Sequence, residues 1–246
     1  MKVVAKSDKG KVRNNNQDSY STGMLQDNSI WAVVCDGMGG ANGGNVASAL
    51  AIRVISQQLT SAYNIAMSDN AIKNLLESVI NAANAAIFEM AQNDTSLVGM
   101  GTTVVCTIIK NGFAYIAHAG DSRAYIISSN EIRQITKDHS IVQTLIDKGQ
   151  LTQSEAREHP SKNIITRALG VANVIKVDFD IEEIYDKCSL LLCSDGLSNF
   201  INDNEIFEIF QNNKSYTYAE KLVNKANENG GGDNITAVVI TNNIGE

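Results

Sequence analysis

The 246-residue sequence contains only one proline, Pro160, and only four cysteines. No proline-rich linker, charged block or internal repeat divides it, so we predict a single domain over residues 1–246. No two cysteines form a Cys-x-x-Cys pair, and each lies in or beside an apolar run. This pattern excludes a disulfide scaffold and argues against a zinc site. We therefore predict buried, reduced thiols and a cytoplasmic location.

Long hydrophobic runs are also missing. Apolar stretches such as residues 30–35 are too short to cross a bilayer, and residues 1–6 lack the apolar centre of a secretion signal. We therefore expect no membrane span. The 27 acidic residues outnumber the 20 basic ones, and the resulting net charge of −7 argues against a nucleic-acid-binding protein.

The hydrophobic pattern alternates between the periods of strands and helices. Asn111-Gly112 separates two β-branched runs and is a strong hairpin signal. With the turn at 128–130, it predicts an antiparallel meander over 102–136. Short apolar runs predict strands at residues 30–35, 102–109, 112–117, 123–127, 131–135, 190–193 and 234–240.

Helices are predicted in clusters between these strands. Residues 70–91 carry one apolar stripe at helical spacing, and Thr152-x-x-Glu155 fits a capping box. Because antiparallel strand groups and helix clusters alternate, we predict an α+β fold and not a doubly wound parallel sheet. The other helices are predicted at residues 45–59, 140–148, 204–210 and 218–227.

Four aspartates follow or precede apolar strands, and each has a glycine nearby. Taken singly, each of Asp36, Asp121, Asp195 and Asp233 is more typical of a turn than of a functional site. Carboxylates gathered at one sheet edge, however, repel one another unless cations neutralise them. Oxygen donors without a cysteine or histidine cluster suit Mg²⁺ or Mn²⁺. If two ions share a carboxylate, a bridging water loses a proton easily and can attack phosphorus.

One arginine near the start has a candidate role in the same chemistry. Arg13 precedes the first strong strand, and a guanidinium can bind a phosphoryl group through two hydrogen bonds. On the residues alone, a surface arginine beside a polar turn is the favoured interpretation.

Six short motifs occur in the order of one family. They resemble the metal-dependent serine/threonine protein phosphatases of type 2C in their compact bacterial form, over residues 3–240. The resemblance implies a four-layer α-β-β-α sandwich, two antiparallel sheets flanked by helices. The motifs are Arg13…Asn16-Gln17-Asp18, Asp36-Gly37-Met38-Gly39-Gly40, Gly99-Met100-Gly101-Thr102-Thr103, Gly120-Asp121-Ser122-Arg123, Ser194-Asp195-Gly196-Leu197 and Gly232-Asp233-Asn234-Ile235-Thr236.

The resemblance implies a binuclear Mn²⁺ or Mg²⁺ centre. Asp36 is expected to bridge the two ions, with the carbonyl of Gly37 on one of them. Asp195 and Asp233 are expected to bind the other ion. Asp121 would form a third, weaker metal site together with Asp195.

Two further residues have roles that the resemblance implies. Asp18 is expected to hold a water molecule of the site, and Arg13 to bind the substrate phosphate. Residues 138–170 resemble the family's flap, which flanks the site and influences substrate access.

The sequence departs from eukaryotic members of the family at two site positions. Position 17 is Gln where those members have a glutamate, and position 38 is Met where they have a proposed general-acid histidine. No motif histidine is therefore placed to protonate the leaving oxygen, and we expect a water molecule to do so.

The resemblance implies direct hydrolysis of phosphoserine and phosphothreonine on proteins, without a phosphoenzyme. A cognate serine/threonine kinase is an expected partner, and we expect a monomer. Two alternatives stay open: a phosphoprotein-binding pseudophosphatase, and an α/β binding protein whose aspartates only form turns.

Overall fold

The computed structural model describes residues 1–185 and 187–242, without the side chains of residues 41 and 42. This part of the chain forms two antiparallel β-sheets flanked by helices. The eleven strands are β1 (Lys2–Asp8), β2 (Asp18–Met24), β3 (Ile30–Met38), β4 (Gly101–Thr102), β5 (Val104–Lys110), β6 (Phe113–Ala119), β7 (Arg123–Ile127), β8 (Ile132–Gln134), β9 (Asp178–Glu183), β10 (Ser189–Cys193) and β11 (Ile235–Thr241).

The first sheet has the strand order β1-β11-β10-β7-β8. The second has the order β2-β3-β5-β6-β9, with β4 paired to β3. The α-helices of the described chain are α1 (Gly40–Ala62), α2 (Asp69–Asn93), α3 (Ile141–Asp147), α4 (Gln153–Glu158), α5 (Asp195–Ser198), α6 (Asp203–Asn212) and α7 (Tyr218–Glu228).

Three buried apolar clusters hold four layers together. Alternating side chains of the second sheet, such as Val33 and Cys106, pack against α1 and α2. The opposite faces of the two sheets meet in a central cluster that contains Val34 and Leu192. Helices α5, α6 and α7 cover the outer face of the first sheet. The period-2 alternation of buried strands therefore produces the predicted α-β-β-α sandwich.

The predicted meander over 102–136 is wrong. Strands β5 and β6 form the expected hairpin, with Asn111 and Gly112 both at positive φ as its turn requires. Strand β7, however, pairs with β10 in the other sheet. The chain changes sheet through residues 120–122, where the Gly120 backbone has a φ of +116°.

Strands β1, β2 and β9 and the short helix α5 were not predicted. The sequences of β2 (DSYSTGM) and β9 (DFDIEE) are mostly polar, and both strands lie at edges of the second sheet. Helix α1 begins at Gly40, five residues before its predicted start. The capping box at Thr152 and Glu155 is present as predicted.

None of the helices in the described chain has the length and apolarity needed to span a membrane.

Candidate active site

Antiparallel pairing brings the strand-end aspartates of the second sheet together. Asp18, the first residue of β2, is the register partner of Asp36 near the end of β3. Directly opposed residues of antiparallel strands have their side chains on the same face. Although 18 positions separate them in the chain, the two carboxyl groups therefore lie at one edge of the sandwich.

The first sheet contributes three carboxyl groups to the same edge. Cys193, at the end of β10, pairs with Arg123 at the start of β7 and with Ala237 near the start of β11. Asp195 follows β10, and Asp121 and Asp233 precede β7 and β11. The antiparallel order of the three strands therefore places all three aspartates at one end of the sheet.

These groups surround one cavity of about 420 Å³. We call it the carboxylate cavity and define it by Asp36, Asp121, Asp195 and Asp233. Gly37 and Arg13 also line it, as do Gln17, Met38, Gly39, Gly40, Thr103, Asn163, Ile165 and Asn234. Every predicted site residue except Asp18 therefore lines a single cavity.

Asp18 is buried next to this cavity. Its Oδ2 atom accepts hydrogen bonds from Ser194 Oγ at 2.6 Å and Thr236 Oγ1 at 2.7 Å. Its Oδ1 atom is buried and has no hydrogen-bond partner among the described residues. Burial raises the pKa of Asp18 to about 7, against the two hydrogen bonds that lower it. An unpartnered buried carboxyl oxygen is a strong hydrogen-bond acceptor, so it suits a bound water molecule.

The carboxyl groups of the cavity repel one another. Burial raises the pKa of Asp36 well above its usual range, and the charges of Asp18 and Asp195 raise it further. The side chains of Asp36 and Asp195 are in hydrogen-bond contact. Burial, followed by the charge of Asp195, also raises the pKa of Asp121. Such crowding of acidic oxygens favours the binding of cations.

Two threonines, whose roles the sequence did not reveal, fix the backbone of Asp36. Its amide donates to Thr103 Oγ1 at 3.0 Å, and its carbonyl accepts from Thr103 N at 2.9 Å and from Thr102 Oγ1 at 2.8 Å. Both belong to the Gly-x-Gly-Thr-Thr motif, and this motif is the sequence feature that could have pointed to their roles. Gly37 allows the backbones to approach closely, since a Cβ atom there would lie 2.1 Å from Gly44 O.

Asn234 holds the segment that carries Arg13. Its Nδ2 atom donates to Lys9 O at 2.9 Å and Asn15 O at 2.8 Å, and its Oδ1 accepts from Gln17 N at 2.8 Å. Arg13 itself reaches the cavity mouth, where its Nη2 donates to Asp233 Oδ2 at 2.8 Å. Asn234 has no predicted role beyond its place in the last motif.

The predicted flap closes one side of the cavity. Its base is joined by a bridge between Ser140 and Ile165, and its residues Asn163 and Ile165 line the carboxylate cavity. A second cavity of about 450 Å³ lies between the flap and the first sheet. Asp121 and Asp195 line both cavities.

The tightest group of possible metal ligands lies elsewhere. Within the described chain, only His118, His139 and Asp178 form a trio whose donor atoms lie within 4.8 Å of one another. His139 is poorly suited to hold an ion, because Nδ1 accepts from Gly120 N and Nε2 contacts Asp178 Oδ2. Metal binding through either nitrogen would break one of these hydrogen bonds.

Comparison with known proteins identifies the family. The model of the family described as protein phosphatase 2C matches residues 10–231. The chain belongs to the protein phosphatase 2C family. The serine/threonine phosphatase stp of Listeria welshimeri is 36% identical over 245 residues, which are 99% of this chain and 97% of that protein. The predicted family and the enzyme class, a serine/threonine protein phosphatase, are confirmed.

Solved structures of this family confirm the predicted fold. The serine/threonine phosphatase of S. agalactiae has a TM-score of 0.91 at 33% identity, covering 98% of this chain and 99% of that one. The catalytic domain of PstP, in complex with two manganese ions, has a TM-score of 0.84 at 34% identity, covering 97% and 96%. The prediction of a divalent-metal cofactor agrees with that neighbour.

Proposed function

We propose that this chain hydrolyses phosphoserine and phosphothreonine in proteins, with the carboxylate cavity as its active site. One observation carries the proposal. Four carboxyl groups from different strand ends surround a cavity that has one guanidinium, that of Arg13, at its mouth. A phosphate dianion would be repelled by the carboxylates alone, so cations are needed to admit it.

The donor set fits Mn²⁺ or Mg²⁺. The side-chain donors are carboxylate oxygens, and hard divalent ions prefer such ligands. Asp36 and Gly37 would hold one ion, and Asp36, Asp195 and Asp233 the other. Asp121 and Asp195 would hold a third, weaker one, and the free Oδ1 of Asp18 would hold a water molecule. When bound, the ions lower the pKa of water and neutralise charge on the phosphoryl oxygens.

The residues around the cavity favour direct attack by water. No cysteine or histidine is found among the described residues that line it. The one hydroxyl there, of Thr103, already contacts Asp36 N and Ser122 Oγ. The other possible nucleophiles there are the four aspartates, which we assign to metal ions, so we expect no phosphoenzyme. The same lining offers no histidine to protonate the leaving oxygen, and we assign that step to water.

Arg13 would position the phosphate. Its side chain is half exposed, and its guanidinium can present two parallel N–H groups to phosphoryl oxygens. Because Arg13 lies beside Asp233, it would hold the phosphoryl group against the carboxylate cavity for in-line attack.

The biological setting extends this proposal. We propose phosphorylated proteins as substrates, a serine/threonine kinase among them, and a single catalytic domain with residues 138–170 as its flap. We expect the enzyme to act as a monomer. Sedimentation of the purified chain with and without Mn²⁺ tests whether it is a monomer.

The decisive experiment measures hydrolysis of an aryl phosphate and of a phosphothreonine peptide. We expect activity with Mn²⁺, loss of activity with a chelator and recovery when Mn²⁺ is restored. Binding of the phosphopeptide without hydrolysis under any metal condition would favour the pseudophosphatase instead. Activity that survives complete chelation would contradict the metal-dependent mechanism.

A further inference from the structure

His139 joins the flap to the turn that carries Asp121. Its backbone amide donates to Gly120 O at 2.9 Å, and its Nδ1 atom accepts from Gly120 N at 3.0 Å. One residue therefore holds both backbone polar groups of Gly120. His139 is itself buried and follows Asp138, the first residue of the flap.

The turn needs such support because its backbone conformation is unusual. Gly120 has a φ of +116°, and a Cβ atom there would lie 2.7 Å from Thr103. On the other side of the turn, Ser122 Oγ contacts Thr103 Oγ1 at 2.7 Å. Asp121 is therefore fixed between Thr103, which also holds Asp36, and His139.

The far side of the His139 ring is anchored to the other end of the flap. Its Nε2 atom lies 3.1 Å from Asp178 Oδ2, and Asp178 Oδ1 accepts from Arg167 Nη1 at 2.8 Å. The ring also stacks on His118, with centroids 4.7 Å apart. The His139 carbonyl accepts from Thr166 N at 2.7 Å.

These contacts determine the tautomer of the ring. Gly120 N can donate only to an unprotonated Nδ1, so the proton is on Nε2, where it is donated to Asp178. Burial also lowers the pKa of His139 to about 4, so the ring stays neutral at pH 7.

We propose that His139 is a positioning residue whose Nδ1 atom holds the Gly120–Asp121 turn in place for the ion that Asp121 and Asp195 bind. This inference rests on the proposed function. His139 does not touch that ion or the phosphate. It acts through Gly120, and its contact with Asp178 and Arg167 couples the same turn to the flap.

Two substitutions distinguish the roles of the two ring nitrogens. In His139→Asn, the amide oxygen takes the place of Nδ1, so the acceptor for Gly120 is kept and the contact with Asp178 is lost. In His139→Gln, the amide nitrogen takes the place of Nε2, so the donor to Asp178 is kept and the acceptor is lost. Both variants remove the ring and its stacking on His118, and each is therefore the control for the other.

Two measurements distinguish the variants. In metal-free protein, we expect the Gly120 amide to exchange with deuterium about tenfold faster in His139→Gln than in wild type, because a hydrogen bond is lost. Counting bound Mn²⁺ by electron paramagnetic resonance should show about 10–100-fold weaker binding at the weakest site in His139→Gln. His139→Asn should stay within about threefold of wild type in both measurements.

Either of two results would overturn the role of His139: equal losses in both variants, or wild-type exchange and Mn²⁺ binding in His139→Gln. Should a variant not fold, the ¹⁵N shifts of the wild-type ring decide, since a protonated Nδ1 at pH 7 contradicts the proposal and an unprotonated one supports it. A wild-type protein that binds no Mn²⁺ would instead overturn the proposed function, whereas the exchange result does not depend on it.

Discussion

Arg13 and Asp233 form an ion pair at the mouth of the carboxylate cavity, with Nη2 2.8 Å from Oδ2. The side chains are 53% and 28% exposed, and pairs in such positions contribute about 0–1 kcal/mol. The proposed phosphate-binding residue thus rests against a proposed metal ligand, in a contact that costs little to exchange for a phosphate.

Replacing Arg13 tests whether its two-pronged hydrogen bonding matters. Arg13→Lys keeps the positive charge but loses the planar fork, and we expect kcat/KM for a phosphopeptide to fall about tenfold. In Arg13→Ala, kcat/KM should fall about 10–100-fold, because hydrogen bonds to a charged group are lost. Arg53→Lys, on an exposed position of α1, is the matched control. Wild-type kcat/KM in Arg13→Lys would be inconsistent with the assigned role.

Replacing Asp36 tests the centre of the cavity. Asp36→Asn removes one of the repelling charges, and we expect turnover to fall on the order of 10³-fold or more at saturating Mn²⁺. The fold should persist, because the substitution keeps the shape of the side chain and relieves repulsion in metal-free protein. Steady-state kinetics and circular dichroism measure the two effects. Asp180→Asn on β9 makes the same chemical change outside the cavity, and near-normal turnover in Asp36→Asn would refute the metal-bridging role.

Replacing Asn84 tests how α2 supports the end of the flap. Its buried Oδ1 accepts from Gly170 N at 2.8 Å, and its Nδ2 donates to Ala172 O at 3.0 Å and Asn173 O at 3.2 Å. Asn84→Ala removes all three hydrogen bonds and leaves the buried Gly170 amide without a partner, so we expect the free energy of unfolding to fall by about 2–3 kcal/mol and Tm by about 5–10 °C. Asn81→Ala, exposed on the same helix, should change the free energy of unfolding by less than about 0.5 kcal/mol. A similar loss in both variants would contradict the role of Asn84.

The buried His139 ring makes stability depend on pH. Burial lowers its pKa to about 4 in the folded protein, below the value of about 6.5 usual for histidine. Between these values the unfolded chain binds more protons than the folded protein. The contribution of the neutral ring to the free energy of unfolding is therefore complete above pH 6.5 and is lost as the pH falls towards 4. The groups facing the ring are Asp178, His118 and Arg167. The pKa of Asp178, held at about 2 by Arg167 and His139 against its burial, keeps that group ionised throughout this window.

Urea unfolding of the metal-free protein at pH 7.5, 6.0 and 5.0 measures this contribution. The advantage of wild type over His139→Asn in free energy of unfolding should shrink as the pH falls. Comparing the two proteins cancels the titration of the carboxylate cavity, which both share. An advantage that stays constant over this range would contradict the lowered pKa of His139.

Much of the fold could be predicted because local patterns agree with the tertiary environment. The apolar stripe predicted for residues 70–91 is confirmed on α2 by four buried residues: Ile72, Leu76, Ile80 and Ile87. The Asn111-Gly112 turn formed because its residues tolerate positive φ. The edge strand β9 was not predicted, because its sequence is acidic. It forms a strand through its pairing with β6.

The sequence by itself determined which chemical groups stand at the strand ends: oxygen donors at Asp36, Asp121, Asp195 and Asp233, and a guanidinium at Arg13. Only the tertiary structure decided that they meet, because pairing between distant strands and the packing of two sheets across their apolar faces bring those ends to one edge. The link from His139 through Gly120 to Asp121 also exists only in three dimensions. It depends on which ring nitrogen faces which partner, and no local pattern along the chain encodes that choice.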